Sequence, residues 1–180
     1  MSDKTEREQT HDRLRKTAFM SVSPEEGSLL HFLISYSKAK NIIEFGCSFG
    51  ISTIYLAAAV KHNNGKVITT ELEPNKIAQA ERNITKASLN NYVTFLPGDA
   101  SKTLANIDTP IDFLFLDGAK DLYLQVFKML EHKLNSNAII YADNIEKEDA
   151  KPFVDYLIAS EDFNVTLLFE NKVLIAYYLK

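Results

Sequence analysis

The sequence contains no tryptophan, a single cysteine (Cys47), six glycines and five prolines in 180 residues. A lone cysteine has no intramolecular partner, so no disulfide framework holds the fold. The scarce glycines and prolines are spread along the chain, leaving no linker, internal repeat or low-complexity tract at which to divide it. Apolar runs are short and interrupted by charge, well below the roughly 20 residues needed to cross a bilayer. The opening "MSDKTEREQTHDRLRK" lacks the apolar core of a signal peptide, and the expectation is a cytoplasmic protein without membrane contact. No block of lysine and arginine is present and the formal net charge is -4, which argues against a nucleic-acid partner.

What is present suits one well-buried domain, with 46% hydrophobic and 24% charged residues. Five short apolar runs, "NIIEF", "KVITT", "YVTFL", "DFLFL" and "AIIYA", alternate with helical stretches at 52–61, 74–88 and 122–134. Strand and helix in alternation predict an α/β fold, a mostly parallel sheet with helices on both faces. Near the end, "FNVTLLF" and "KVLIAYYL" are separated only by "EN" and read as a hairpin that adds an antiparallel terminal strand, giving seven strands. The domain is expected over residues 21–180, preceded by a polar helical extension over 1–20 that packs loosely or serves contacts in a homodimer. "SPEE" marks the first helix of the domain, with Ser23 as N-cap, Pro24 at the first helical position and Glu26 completing a capping box.

In an open parallel sheet, ligands bind beyond the carboxyl ends of the strands. The first run ends in "EFGCSFGIS", where Glu44, Gly46 and Gly50 precede a helix. Glycines there permit a tight turn and close approach of a ligand, although a plain strand-to-helix turn has the same look. The second run ends at Glu71, about 20 residues beyond Gly50, where a carboxylate accepts hydrogen bonds from ribose hydroxyls. The pair points to an adenosine-containing cofactor. Asp99, in "PGDA", reads equally as a helix cap or a ligand contact. The fourth run ends on Asp117 and the fifth on Asp143 and Asn144. Adjacent strands lie about 5 Å apart, so three oxygen donors would converge there. Two carboxylates and an amide without histidine or thiolate suit Mg²⁺, Mn²⁺ or Ca²⁺ better than Zn²⁺.

The ordered set "MSVSPEEGSLL", "IIEFGCSFGIS", "VITTELEP", "PGDA", "IDFLFLDGAKDLY" and "IIYADN" resembles the cation-dependent, S-adenosylmethionine (SAM)-dependent O-methyltransferases of the catechol and caffeoyl-CoA group, from about Met20 to Asn144. The resemblance implies a Rossmann-like class I methyltransferase fold. It implies that Glu44, Gly46 and Ser52 line the methionine side of the cofactor, that Glu71 holds the ribose, and that Asp99 and Ala100 stand near the adenine. Val22 would add a backbone contact and Asp117 would stand against both cofactor and metal. Asp117, Asp143 and Asn144 would ligate the cation, and Lys120 would be the general base toward a small hydroxylated acceptor, a catechol-like vicinal diol. A lysine so used needs its pKa depressed by the metal and by burial.

Two departures stand out. Ala119 replaces an acidic residue frequent in the family, and the charged "IEKEDAKP" replaces a segment with tryptophan and glycine that shapes the acceptor site. Two rival functions follow the same pattern less well. A nicotinamide dehydrogenase would carry G-x-G-x-x-G in the first turn, and a binding module that has lost catalysis would not need the acid, amide and lysine set. Cys47 reads as a small packed residue, and His11, His31, His62 and His132 lie away from the acidic strand ends.

Overall fold

Strands buried on both faces account for the unbroken apolar runs. A computed structural model describes residues 21–180; the expected extension over 1–20, with His11, lies outside them. The strands are β1 (Asn41–Phe45), β2 (Lys66–Glu71), β3 (Val93–Pro97), β4 (Ile111–Leu116), β5 (Leu134–Ala142), β6 (Phe163–Leu168) and β7 (Val173–Tyr178). The helices are α1 (Pro24–Ser37), α2 (Ile51–His62), α3 (Pro74–Lys86), α4 (Ala100–Thr103), α5 (Tyr123–Leu130) and α6 (Lys151–Ala159). The sheet runs β3-β2-β1-β4-β5-β7-β6, with β7 antiparallel to both of its neighbours. Among the described residues, no helix is long and apolar enough to cross a membrane.

Side-chain alternation along each strand splits the interior into two cores. Ile42, Phe113, Phe115 and Tyr141 face Leu30, Ile34, Leu56 and Ile84 of α1, α2 and α3. Ile43, Leu114, Leu116 and Ile140 face Tyr123, Phe127 and Phe153 of α5 and α6. Continuing the same alternation past the strand ends places Asp117 and Asp143 on the α1 side. At the opposite edge Asp112 ties three strands together: Oδ2 accepts from the amides of Lys40 and Asn41 at 2.8 and 2.9 Å, and Oδ1 from Asn135 Nδ2 at 2.6 Å.

The helix expected to run to Leu134 instead stops at Leu130, and a 3₁₀ turn (Glu131–Lys133) leads into β5. β5 begins four residues before its apolar run, at Leu134, which pairs with Ile111. Its polar opening is held by the Asn135–Asp112 hydrogen bond instead of by burial, so hydrophobic patterning gives no sign of it. The terminal hairpin is as expected, and its turn carries Phe169, Glu170 and Asn171 in succession at φ 51°, 55° and 64°.

The sheet order reverses between β1 and β4, and there two glycines let the backbones close up. A Cβ on Gly46, at φ +92°, would lie 2.7 Å from Gly118 Cα, and one on Gly118 would lie 2.5 Å from the Phe45 ring. Gly98 has a similar φ of +113° but open space, its nearest neighbour being 3.8 Å away. Gly46→Ala therefore lowers unfolding free energy by about 2–4 kcal/mol in urea titration, and Gly98→Ala by about 1–2 kcal/mol. Equal losses at the two positions would rule out the steric contribution.

Candidate active site at the strand termini

Backbone hydrogen bonds carry the ladder beyond the ends of the strands and fix the loops there. Cys47 N donates to Thr70 O (3.0 Å), Asp117 N to Phe45 O (2.9 Å), Asp143 N to Leu116 O (3.0 Å) and Gly98 N to Glu71 O (2.9 Å). The turn between β1 and α2 bends through three left-handed residues, Gly46, Ser48 and Gly50, with Ser48 at φ 48°. Glu71 holds this turn from the next strand: Oε2 accepts from Ser48 N at 2.9 Å, while Oε1 accepts from Leu72 N (2.8 Å) and Glu73 N (3.0 Å). Beside Glu71 lies a groove of about 380 Å³ walled by Leu72, Pro74, Ile77, Ala78, Pro97 and Gly98, with Glu81 as its one charged lining residue. The hydroxyl of Ser48 is buried without a hydrogen-bond partner, an arrangement that a ligand in the turn would relieve.

Glu44 is fully buried. Its carboxyl accepts from Ser52 Oγ at 2.5 Å and Thr53 Oγ1 at 2.6 Å, which fastens the start of α2 to β1. Burial pushes its pKa up to about 7 from an ordinary 4.5, against the opposing pull of the two hydroxyls. Ser52 thus spends its hydroxyl on Glu44. Val22 is buried just before the α1 cap. Asp99 is exposed and caps α4, accepting from Ser101 N (2.9 Å) and Ser101 Oγ (2.8 Å), while Ala100 is buried beside it. Of the two readings left open for Asp99, capping is the contact present. Cys47 is buried, and burial raises its thiol pKa well above the ordinary value. It is no nucleophile as placed.

The acidic edge brings together Asp117, Asp143, Asn144 and Lys120, as the sequence predicts, and joins them to residues that the sequence does not single out. Leu116 pairs with Ala142, so Asp117 and Asp143 follow side by side. Lys120 opens a 3₁₀ turn (Lys120–Leu122) and returns its Nζ to Asp117 Oδ1 at 2.9 Å, lying 5.2 Å from the centroid of the Tyr123 ring. Burial pushes Asp117 up to about 6, Lys120 counters it, and Asp143 adds repulsion. Asp143 is likewise raised, by burial and by the Glu26 charge. Its Oδ1 accepts from Asn144 N at 2.7 Å, and Asn144 sits at φ 56°.

Tyr123, Glu26 and Lys172 complete this edge. The Tyr123 hydroxyl is shared between the carbonyls of Leu116 (2.8 Å) and Asp143 (2.9 Å), which staples the ends of β4 and β5. Glu26 forms the expected capping box, Oε2 accepting from Ser23 N at 2.8 Å, and presents Oε1 to Lys172 Nζ at 2.5 Å. Lys172 Nζ also lies 3.4 Å from Asp143 Oδ1. Burial alone would raise the Glu26 carboxyl, but Lys172 and the Ser23 amide outweigh it and hold its pKa below the ordinary value. The only sequence signals were a capping box for Glu26, a helical apolar position for Tyr123 and a turn residue for Lys172.

The donor set is two carboxylates and one amide on adjacent strand ends, next to a buried Tyr141 hydroxyl that has no hydrogen-bond partner. That chemistry fits a hard, oxygen-seeking divalent cation. Among the described residues, no group of three histidine, cysteine or acidic side chains is arranged as a metal cluster, so a cation at this edge would need a further donor such as the Asn144 amide.

The buried carboxyl of Glu44 makes the fold sensitive to pH. Between 4.5 and about 7 the folded chain retains a proton that the unfolded chain has released, so stability falls as pH rises through that window, by on the order of 3 kcal/mol. In Glu44→Gln the Glu44 share of this fall disappears, leaving that of Asp117, and the variant gains on the wild type from pH 5 to pH 8 in urea titrations. The same fall in both proteins would exclude a proton on Glu44.

Comparison with known proteins places this geometry in a family. A sequence profile described as O-methyltransferase matches residues 4–155. The catechol O-methyltransferase of Niastella koreensis is 35% identical over 133 residues, covering 72% of this chain and 60% of that protein. The catechol O-methyltransferase of Mycobacterium tuberculosis is 28% identical over 127 residues, covering 70% of this chain and 57% of that protein. This chain thus spans about three-fifths of the length of these two relatives. Among solved structures, the Bacillus cereus O-methyltransferase in complex with SAH matches with a TM-score of 0.81 at 24% identity, covering 94% of this chain and 87% of that one. TomG from Streptomyces achromogenes, in complex with SAM, matches with a TM-score of 0.81 at 22% identity over 96% and 87% of the two chains. At such identities the structures speak for a common fold, and the profile, spanning most of the chain, speaks for descent: this chain belongs to the O-methyltransferase family.

Proposed function

We propose that the chain transfers the methyl group of SAM to a hydroxyl of a small molecule, with a catechol-like vicinal diol as the acceptor, and that a divalent cation held by Asp117, Asp143 and Asn144 assists. The observation that carries this reading is the meeting, at one sheet edge, of the glycine turn braced by Glu71 with the paired ends of β4 and β5 and Lys120. The relatives named for catechol O-methylation and the neighbour with SAM support it.

Each residue then has a part. Glu71 Oε2 accepts one amide, which leaves it capacity for a ribose hydroxyl. The apolar groove beside Glu71 suits a flat purine. Gly46 gives the cofactor access to the backbone, and Ser48 Oγ gains the partner it lacks. Glu44 acts from within, by fixing the first turn of α2 through Ser52 and Thr53. A divalent cation bound at the acidic edge would stabilise a coordinated hydroxyl in its ionised form. Lys120 Nζ, once it has released its own proton to solvent, receives the proton of the acceptor hydroxyl, and its position beside Asp117 at 2.9 Å keeps it at this edge. SAM bound at the glycine turn would supply a methyl carbon to the acceptor oxygen, its carbon–sulfur bonding pair would pass to sulfur, and the products would be the methyl ether and the thioether SAH.

Two outcomes test the reading. Calorimetry finds SAM binding and no NAD binding, and Glu71→Gln weakens SAM by about 1.5–3 kcal/mol, as expected when a charge-assisted hydrogen bond becomes neutral. Tight NAD binding with none for SAM would overturn the cofactor. In methyl-transfer assays on a panel of vicinal diols, chelation abolishes turnover and Mg²⁺ or Mn²⁺ restores it. In the same assays Lys120→Met slows transfer by roughly 10²–10⁴-fold with little change in SAM affinity. A wild type that binds SAM and transfers to none of the diols would favour a binding module, and a fully active Lys120→Met would place the base elsewhere.

A further inference from the structure

Besides Lys120 on Asp117, the chain brings a second positive charge of its own to the acidic edge. Lys172 stands at the end of the β6–β7 turn, and that turn is built to place it. Phe169, Glu170 and Asn171 are all left-handed, and Lys172 N closes the turn on Phe169 O at 3.0 Å. The carbonyl of Lys172 accepts from Ile145 N at 2.9 Å, so its backbone is anchored to the segment that follows Asn144. Its side chain, 37% exposed, reaches in from solvent and sets its ammonium between two carboxyls that are almost fully buried, Glu26 at 2.5 Å and Asp143 at 3.4 Å. Three non-glycine residues in left-handed conformation are unfavourable, and a turn that keeps them needs compensation. The compensation here is an ammonium held against two buried charges.

Asp143 Oδ1 is the atom under this ammonium, and Asp143 is also one of the three proposed cation ligands. An ammonium and a dication cannot both sit against one carboxylate without strong mutual repulsion. We propose that Lys172 is a tethered cation that competes with the divalent metal for Asp143: it neutralises Asp143 and Glu26 while the metal is away, and it withdraws onto Glu26 when the metal binds. The inference rests on the cation reading above. Lys172 is accordingly a positioning residue that sets how much metal the enzyme requires, and Glu26, beyond capping α1, is the resting place that lets the lysine step aside.

The test is Mn²⁺ binding to the full chain, followed by loss of the free-ion electron paramagnetic resonance signal, a readout independent of turnover. Lys172→Met binds Mn²⁺ about tenfold or more tightly than wild type, the repulsion between single and double charges about 5 Å apart even at the dielectric of water. Lys172→Arg, which keeps the charge, stays within about threefold of wild type. Because Lys172→Met leaves Glu26 buried and unpaired, the double variant Glu26→Gln/Lys172→Met removes both charges and guards against unfolding; it too binds Mn²⁺ more tightly than wild type. A wild type that binds no Mn²⁺ while the Met variants do is the extreme form of the same result. Equal affinity in wild type and both Met variants overturns the competition and leaves the cation reading standing. Absence of Mn²⁺ binding in all of them, with SAM still bound, overturns both.

Discussion

The close approach of Gly46 to Gly118 is the contact on which the acidic edge depends. It falls between β1 and β4, where the sheet changes direction and neighbouring loops part to opposite sides, and such a switch point is where an open α/β sheet has room for a ligand. A side chain at Gly46 would meet the Gly118 backbone and one at Gly118 would meet the Phe45 ring, so either would strain the Asp117 N to Phe45 O hydrogen bond by which β1 braces the acidic edge. Tyr123 performs the matching task one strand further on, because its hydroxyl bridges the last carbonyl of β4 to that of Asp143.

The α1 side of the sheet holds buried carboxyls that are settled in two different ways. Glu44 meets only hydroxyl donors and is pushed toward the neutral acid. Glu26 accepts from the Lys172 ammonium and from the Ser23 amide of its own helix cap and is held as the anion. The first solution suits a residue that ties a helix to a strand, since a neutral buried group carries little desolvation penalty. The second holds a buried carboxylate against a partly exposed ammonium, which is free to shift when another charge arrives. Asp117 and Asp143 lie between these extremes, each facing one lysine and each raised by burial.

Much of this was legible in the sequence because a parallel sheet writes its ligand edge into the points where apolar runs stop. Glu44, Glu71, Asp117 and Asp143 are all found by reading to the end of a run. The capping box of Glu26 was equally legible, and that completeness is why its second contact was not: the local pattern already explained the residue, and Lys172 lies 146 positions away. Lys172 itself sits in a turn, where lysine is unremarkable, and nothing periodic marks the left-handed run before it. The start of β5 was hidden for a related reason, since Asn135 is held by a side-chain hydrogen bond and leaves no hydrophobic trace. Local patterns carry what neighbours in sequence decide; pairings across the fold between polar groups leave no comparable mark.

The placement of Cys47 has a practical side. The thiol is the only one in the chain, it is sealed inside the turn between β1 and α2, and its neighbours raise its pKa. A thiol reagent can reach it only when that turn opens, so its rate of modification counts opening events at one defined place without any introduced label. A molecule that closes over the turn would lengthen the interval between those events, and the native cysteine becomes a clock for the breathing of that loop.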